Sequence, residues 1–354
     1  MKHNTIYTGD ATETLQELPP ESVNMVMTSP PYWNLRDYGV DGQLGREETA
    51  EAFVDNLADV FDEVKRVLRP DGSLWLNLGD TYENKDLQQI PARVALELQN
   101  RGWILRNRVT WTKPNPMPQS VKDRLNDTTE AVFHFVKERD YWYDLDAIRI
   151  DNKVSRVAYQ NSNWVESTEF NNNRSAHVGN HPAGKNPGDV FEVTTKPFPE
   201  AHFAVYPPEL CEKPIKATCP PTVCAECGSP YERVTEKTGE FITTERGKRD
   251  KASPMNDHGN GRGDGKIGTQ VREFKGWTPT CDCDTDATEA GIALDPFAGA
   301  GTTLLKAKEL GRKLVGVELN PKYADMARAR VGLDVHNPAN IRGDDNQSGL
   351  EAYD

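Results

Sequence analysis

The stretch that most constrains the fold lies towards the C-terminal end, between Ile292 and Glu318. Ile292-Ala293-Leu294 is a short apolar run that reads as a buried strand. Asp295-Pro296-Phe297-Ala298-Gly299-Ala300-Gly301-Thr302-Thr303 is a tight turn into a helix that runs through Leu310. A second strand, Leu314-Val315-Gly316-Val317, ends at Glu318, and a further helix follows to about Val331. Two strands joined through a helix run parallel, and their crossover helices cover the sheet faces. The first half of the chain repeats the alternation. It gives a strand around Thr5-Ile6-Tyr7, a helix through Leu15–Leu18 and a strand over Val23-Asn24-Met25-Val26-Met27. From Thr49 to Leu68, Phe53, Leu57, Val60, Phe61, Val64 and Leu68 recur at helical spacing. Arg69-Pro70-Asp71-Gly72 reads as a turn before the strand Ser73–Leu78. A helix from about Pro91 to Asn100 and strands at Ile104–Trp111 and Ala131–Val136 complete the pattern, with His134 expected in the core. The expected class is α/β, with a mixed, mostly parallel sheet.

At 354 residues the chain can form one large domain with insertions, or two domains. It has no apolar run of membrane-span length, and Met1-Lys2-His3-Asn4 leads into no signal-peptide core, so a soluble, cytoplasmic protein is expected. The formal charge of −13 disfavours general attraction to phosphates and fits a protein from a high-salt, halophilic source. The six cysteines are clustered, which in a cytosolic chain favours metal over disulfides. Cys224-Ala225-Glu226-Cys227-Gly228 has the form of a sulfur knuckle, and Cys281-Asp282-Cys283 can close a tetrahedral zinc site with it. Cys219 is an alternative ligand, and Cys211 is expected as a buried thiol. The wide spacing of the two pairs calls for a long hairpin or loop between them. That segment carries Arg246, Lys248, Arg249, Lys251, Arg262, Lys266, Arg272 and Lys275, and reads either as a phosphate-contacting arm or as a solvated loop.

Thr28-Ser29-Pro30-Pro31-Tyr32-Trp33 follows directly on the strand Val23–Met27. Two prolines end the ladder and donate no N–H, so a hydroxyl, fixed carbonyls and an aromatic ring stand together at a strand end. Such a group can hold a planar polar molecule by its edge and face, or it can be a proline turn with a packed ring. The glycine-punctuated loop Asn34–Gly45 comes next, as a loop beside a site would. Residues 151–200, rich in Asn, Gly, Ser and Pro, read either as a recognition segment or as an insertion.

The turn after Leu294 also says what the sheet can bind. Glycines allow close backbone approach to a ligand, and an acid at the end of the following strand, Glu318, can accept from ribose hydroxyls. No Lys-Ser/Thr pair follows the glycines, so a triphosphate loop is excluded. Asp295 ahead of them disfavours pyrophosphate and suits a ligand carrying positive charge. Asp-Pro-Phe-x-Gly-x-Gly-Thr-Thr, preceded in the chain by Thr-Ser-Pro-Pro-Tyr-Trp, resembles the amino-methylating DNA methyltransferases of the β arrangement.

That resemblance implies a Rossmann-like S-adenosylmethionine-dependent methyltransferase fold with a zinc-binding insertion. It implies catalytic roles for Ser29, Pro30, Pro31 and Tyr32, and cofactor contacts from Asp10, Asp295, Phe297, Gly299, Gly301, Thr302 and Glu318. Asp10 also reads as a helix N-cap. His202–Leu210 resembles the family segment that lines the cofactor pocket. The implied organisation is a target-base half at 1–150, target recognition at 151–200, a cofactor-pocket segment at 201–215, a zinc insertion at 216–288 with ligands Cys224, Cys227, Cys281 and Cys283, an S-adenosylmethionine half at 289–335 and an acidic tail at 336–354. The implied partner is double-stranded DNA, with a cognate restriction endonuclease as a candidate companion; oligomeric state is left open. Ser rather than Asp before Pro-Pro-Tyr points to cytosine N4 over adenine N6. The pattern is also similar to methyltransferases of halophilic archaea and their viruses, a group that includes CTAG-modifying enzymes. A zinc-dependent DNA-binding protein with an inactive core and a glutamine-modifying protein methyltransferase are the competing classes. The latter prefers Asn-Pro-Pro-Tyr and the opposite motif order.

Overall fold

The computed structural model describes residues 1–150, 183–196, 205–243 and 268–333. Most of the recognition segment, the His202–Ala204 part of the cofactor-pocket segment, the basic positions from Arg246 to Lys266 and the tail lie outside them. In chain order the elements are β1 (Thr5–Thr8), α1 (Ala11–Glu17), β2 (Val23–Thr28), α2 (Ala50–Val67), β3 (Leu68–Leu78), a small hairpin of β4 (Tyr82–Glu83) and β5 (Asp86–Leu87), α3 (Ile90–Asn100), β6 (Ile104–Thr112), β7 (Thr129–Val136) and β8 (Val190–Glu192). There follow α4 (Pro208–Thr218), β9 (Val223–Cys224), β10 (Tyr231–Thr243), β11 (Gly268–Pro279), β12 (Thr288–Glu289), β13 (Ile292–Asp295), α5 (Thr302–Glu309), β14 (Lys313–Glu318) and α6 (Pro321–Val331).

Eight of these strands form one sheet in the order β1-β14-β13-β2-β3-β7-β6-β8. The first five run parallel; β7 is antiparallel to β3 and to β6. The strand pattern explains the two covered faces. Val26, Leu74, Leu76, Phe133 and Phe135 point to one side and pack with Phe53, Leu57, Phe61 and Val64 of α2, Leu15 of α1 and Val94 and Leu98 of α3. Met25, Met27, Trp75 and Val132 alternate to the other side and meet Leu210 and Ile215 of α4, Leu304 of α5 and Ala324 of α6. The helical stripe expected over residues 49–68 is the buried face of α2, whose N-terminus is capped by Thr49 Oγ1 accepting from Ala52 N at 3.2 Å.

The expected turn at Arg69–Gly72 is instead part of β3. β2 passes from Val23 to Met25 while β3 passes from Leu68 to Ser73, so these residues bow out as a bulge and the chain keeps its direction. Pro70 donates nothing to the ladder. A Cβ on Gly72 would lie 2.6 Å from Leu68 Cδ1, so any other residue there would have to displace the buried Leu68 side chain. His134 is buried, stacked on Trp75 with centroids 4.3 Å apart and 3.1 Å from Ser73 Oγ. Burial pushes its pKa down to about 3, so it is neutral. Among the described residues no helix is long and apolar enough to cross a membrane.

Leu57 is fully buried at the centre of the α2 face. Leu57→Ala is expected to cost about 2–5 kcal/mol, measured as a shift of the urea unfolding midpoint at unchanged slope.

Candidate active site

β13 and β2 are neighbours at the point where the winding of the sheet reverses. From β13 the chain crosses through α5 to β14 on one side; from β2 it crosses through α2 to β3 on the other. Right-handed crossovers in opposite directions put α5 and α2 on opposite faces and leave a crevice beyond the carboxyl ends of the two strands. The crevice is where both singled-out motifs end. Thr28 Oγ1 donates to Asp295 Oδ1 at 2.6 Å, joining residues 267 apart in sequence. Thr303 Oγ1 donates to Met27 O at 3.1 Å, and Tyr206 OH reaches Asp295 Oδ2 at 3.2 Å. A cleft of about 1930 Å³ opens above this seam.

Ser29, Pro30, Pro31 and Tyr32 line one end of the cleft, and Asp10, Phe297, Gly299, Thr302 and Glu318 line the other. Glu318 Oε2 accepts from Gly299 N at 2.7 Å and Oε1 from Asn320 N at 2.8 Å, so its carboxylate is fixed by backbone. Burial raises its pKa. Asp10 is the N-cap of α1, with Oδ1 accepting from Glu13 N at 3.0 Å, while its side also faces the cleft. Two expected contact residues stand behind the wall. Asp295 is fully buried; burial lifts its pKa to about 6 against the bonds from Thr28 and Phe297 N. Gly301 caps α5 with φ +74°, and a Cβ there would lie 3.1 Å from Ala327 Cβ of α6, so it serves the turn and the helix packing.

The motif Thr28–Trp33 divides between packing and cleft. Trp33 is buried, with Nε1 donating to Glu47 O at 3.0 Å. Tyr32 instead faces the cleft with its ring against Gly79, where a Cβ would come within 2.5 Å of Tyr32 Cε2. Its hydroxyl donates to Glu130 Oε2 at 2.7 Å and lies 3.1 Å from Ser29 Oγ. Asn77 Nδ2 lies 2.8 Å from both Tyr32 OH and Glu130 Oε2 and 3.3 Å from Ser29 Oγ. Lys113 pairs with Glu130 Oε1. Asn77, Lys113 and Glu130 are not marked by the sequence, whereas Tyr206 falls in the His202–Leu210 segment expected at the cofactor pocket. The available signal was a polar residue inside an apolar strand, as at Asn77 in Leu74–Leu78.

Apart from the cleft, the Sγ atoms of Cys224, Cys227, Cys281 and Cys283 all lie within 4.8 Å of one another. Four thiolates around one zinc stand about 3.8 Å apart, from a Zn–S bond of about 2.3 Å. The long connection between the pairs is the antiparallel hairpin of β10 and β11, whose base pairs Tyr231 with Pro279 and so returns the second pair to the first. Gly228, at φ +72°, allows the knuckle to turn, and Ser229 draws the Cys227 thiol down to about 6 by hydrogen bonding. Arg233 anchors the hairpin through a bidentate pair with Asp144, Nη2 to Oδ2 at 2.6 Å. Cys219 and Cys211 are buried elsewhere, with thiol pKa values raised by burial.

The chain matches the family model described as DNA methylase over residues 23–224 and 286–329. The unmatched interval contains the hairpin of β10 and β11. Over 356 residues it is 31% identical to the type II methyltransferase M.Cfr9I of Citrobacter freundii, covering 92% of this chain and 87% of that one. It is 32% identical over 360 residues to M.XycI of Xanthomonas campestris pv. cyanopsidis, covering 94% and 88%. In fold it is similar to the PvuII DNA methyltransferase (cytosine-N4-specific), with a TM-score of 0.56, 18% identity and coverage of 95% and 89%. The same holds for TTHA0409 of Thermus thermophilus complexed with S-adenosyl-L-methionine, with a TM-score of 0.50, 22% identity and coverage of 93% and 94%. With two segments of the family model matched across the sheet and the cleft, the chain belongs to the N6/N4 DNA methylase family.

Proposed function

We propose that this DNA methylase transfers a methyl group from S-adenosylmethionine to the N4 amino group of cytosine in a short duplex site. The observation that carries the reading is the Thr28–Asp295 bond, which sets the Ser-Pro-Pro-Tyr strand end and the glycine turn on one cleft. The relatives are named as type II methyltransferases, and one structural neighbour holds S-adenosyl-L-methionine in the same fold. The cofactor end has the right donor set. Glu318, fixed by Gly299 N and Asn320 N, keeps lone pairs to accept ribose hydroxyls, and Asp10 can accept from an adenine amino group. Phe297 lines the same end, and Asp295 and Gly301 act by shaping the turn that Gly299 and Thr302 present.

When bound, S-adenosylmethionine supplies a methyl group on a positively charged sulfur. The chain's own contribution is positioning. An exocyclic amino nitrogen is a poor nucleophile because its lone pair is delocalised into the base. Ser29 Oγ and the Pro30 carbonyl accept its two hydrogens, hold it out of conjugation and turn the lone pair towards the methyl group. Tyr32 stacks on the base, which must leave the duplex to enter the cleft. In-line displacement forms the N–C bond as the S–C bond breaks, the nitrogen releases one proton to solvent, no covalent nucleophile is needed, and alignment is the main catalytic term. Ser29 in place of an acid is the ground for cytosine N4; the cytosine-N4-specific neighbour shares the fold and adds no more than that. The four cysteines hold a structural zinc, which closes the base of the hairpin.

Incubation with labelled S-adenosylmethionine and duplex DNA, followed by nucleoside analysis, is expected to yield N4-methylcytosine. N6-methyladenine would overturn the base assignment, and label in protein would overturn the DNA substrate. Mapping the modified cytosines tests CTAG as the site. Ser29→Ala is expected to lower kcat by about 100-fold with cofactor affinity unchanged; parental activity would remove the amino-group contact. One zinc per chain is expected by elemental analysis, and its chelation is expected to expose the 216–288 segment to protease. A metal-free protein with the same protease resistance would remove the zinc assignment.

A further inference from the structure

Ser29 by itself does not make the cleft selective for an amino group, because a hydroxyl can donate or accept. An amino base offers hydrogens and needs an acceptor. An oxo base, such as uracil in place of cytosine, offers lone pairs and needs a donor. At Ser29 the choice is made by the hydrogen bonds behind it, which end on Glu130; the Pro30 carbonyl, an acceptor only, adds a fixed preference of its own.

A carboxylate only accepts. The single hydroxyl hydrogen of Tyr32 therefore goes to Glu130 Oε2, 2.7 Å away. Asn77 is oriented by the same oxygen. Turning its amide over would set Oδ1 against the carboxylate, so Nδ2 faces Glu130 Oε2 and Tyr32 OH, at 2.8 Å each. The orientation is held although it leaves the buried Asn77 Oδ1 without a partner among the described residues. With its hydrogen committed, the Tyr32 oxygen can only accept from Ser29 Oγ at 3.1 Å. The Ser29 hydrogen then points at Tyr32, and lone pairs are what Ser29 shows to the cleft. Lys113 supplies the counter-charge on the far oxygen of Glu130, and the pair is largely shielded, with side chains 19% and 15% exposed.

We infer that Glu130 is a positioning residue that sets the direction of the Ser29–Tyr32–Glu130 chain, so that the cleft accepts an amino base and rejects its oxo counterpart. The inference rests on the amino-methyltransferase reading above and is independent of which amino base is the target. An oxo base would bring its lone pairs against those of Ser29 and leave both without a hydrogen, a mismatch that corresponds to about 10- to 100-fold in affinity.

The test compares equilibrium binding, without methyl donor, of the duplex methylated by the wild type and the same duplex with the target base replaced by its oxo analogue. The pair is cytosine and uracil, or adenine and hypoxanthine if adenine is modified. The wild type is expected to prefer the amino base by at least about tenfold. In Glu130→Gln the amide can donate to Tyr32, which frees the chain to run the other way. The preference is expected to fall by at least about threefold, to the share the Pro30 carbonyl keeps, and kcat by at least about tenfold, with cofactor affinity retained as the sign of an intact fold. Glu130→Asp keeps a carboxylate and is expected to restore the preference in part. A Glu130→Gln protein that binds cofactor and keeps the wild-type preference, a Glu130→Asp protein as indifferent as Glu130→Gln, or a wild type without preference would each overturn the inference. Absence of methyl transfer by the wild type would instead sink the functional reading itself.

Discussion

The hydrogen bond from Thr28 to the buried carboxyl of Asp295 is the contact on which the rest of the molecule depends. It spans the boundary where the sheet's winding reverses, the one place where two strand ends leave a crevice uncovered by crossover helices. A carboxyl with no exposure is costly unless its oxygens are bonded. Here Thr28, Tyr206 and the amide of Phe297 share that task. Because one partner comes from β2, one from the segment before α4 and one from the glycine turn, satisfying the carboxyl also aligns three pieces of chain. The cleft is a by-product of that alignment.

The two ends of the cleft use different materials. The end proposed for the cofactor is built from backbone: Glu318 is held by two amides, and the glycine turn presents main-chain atoms. The end proposed for the base is built from side chains of four strand ends, with Ser29 and Tyr32 after β2, Asn77 in β3, Lys113 after β6 and Glu130 in β7. A backbone-lined pocket tolerates changes in most side chains, whereas a side-chain network depends on each member.

This difference decides what was legible in the sequence. Apolar spacing gave the strands, the buried face of α2 and the mostly parallel sheet, because burial imposes a period that local residues carry. The glycine turn and Ser-Pro-Pro-Tyr were legible because each is contiguous. Glu130 and Lys113 were not, since a charged residue near a strand end has no local mark that distinguishes a network member from a solvated one. The bulge at Arg69–Gly72 reads as a turn in the sequence for a related reason. Pro and Gly show that the ladder is interrupted, but only the pairing of β3 with β2 shows that the chain continues in the same direction. The cysteine spacing left Cys219 as an alternative ligand; the hairpin, which brings the second pair back to the first, separates it from the four clustered thiols.

The position of β13 and β14 has a consequence for how the molecule is made. They are the last strands among the described residues, yet in the sheet they sit between β1 and β2, two of the first. Until Glu318 has left the ribosome, β1 has no neighbour and β2 presents an open parallel edge. The early-formed half is thus an incomplete sheet with exposed ladder groups, and closing it requires contacts between residues about 300 positions apart, as between Thr5 and Val315. Closure of the sheet therefore waits for β13 and β14, and the interval before that step is when the chain is most open to wrong pairing.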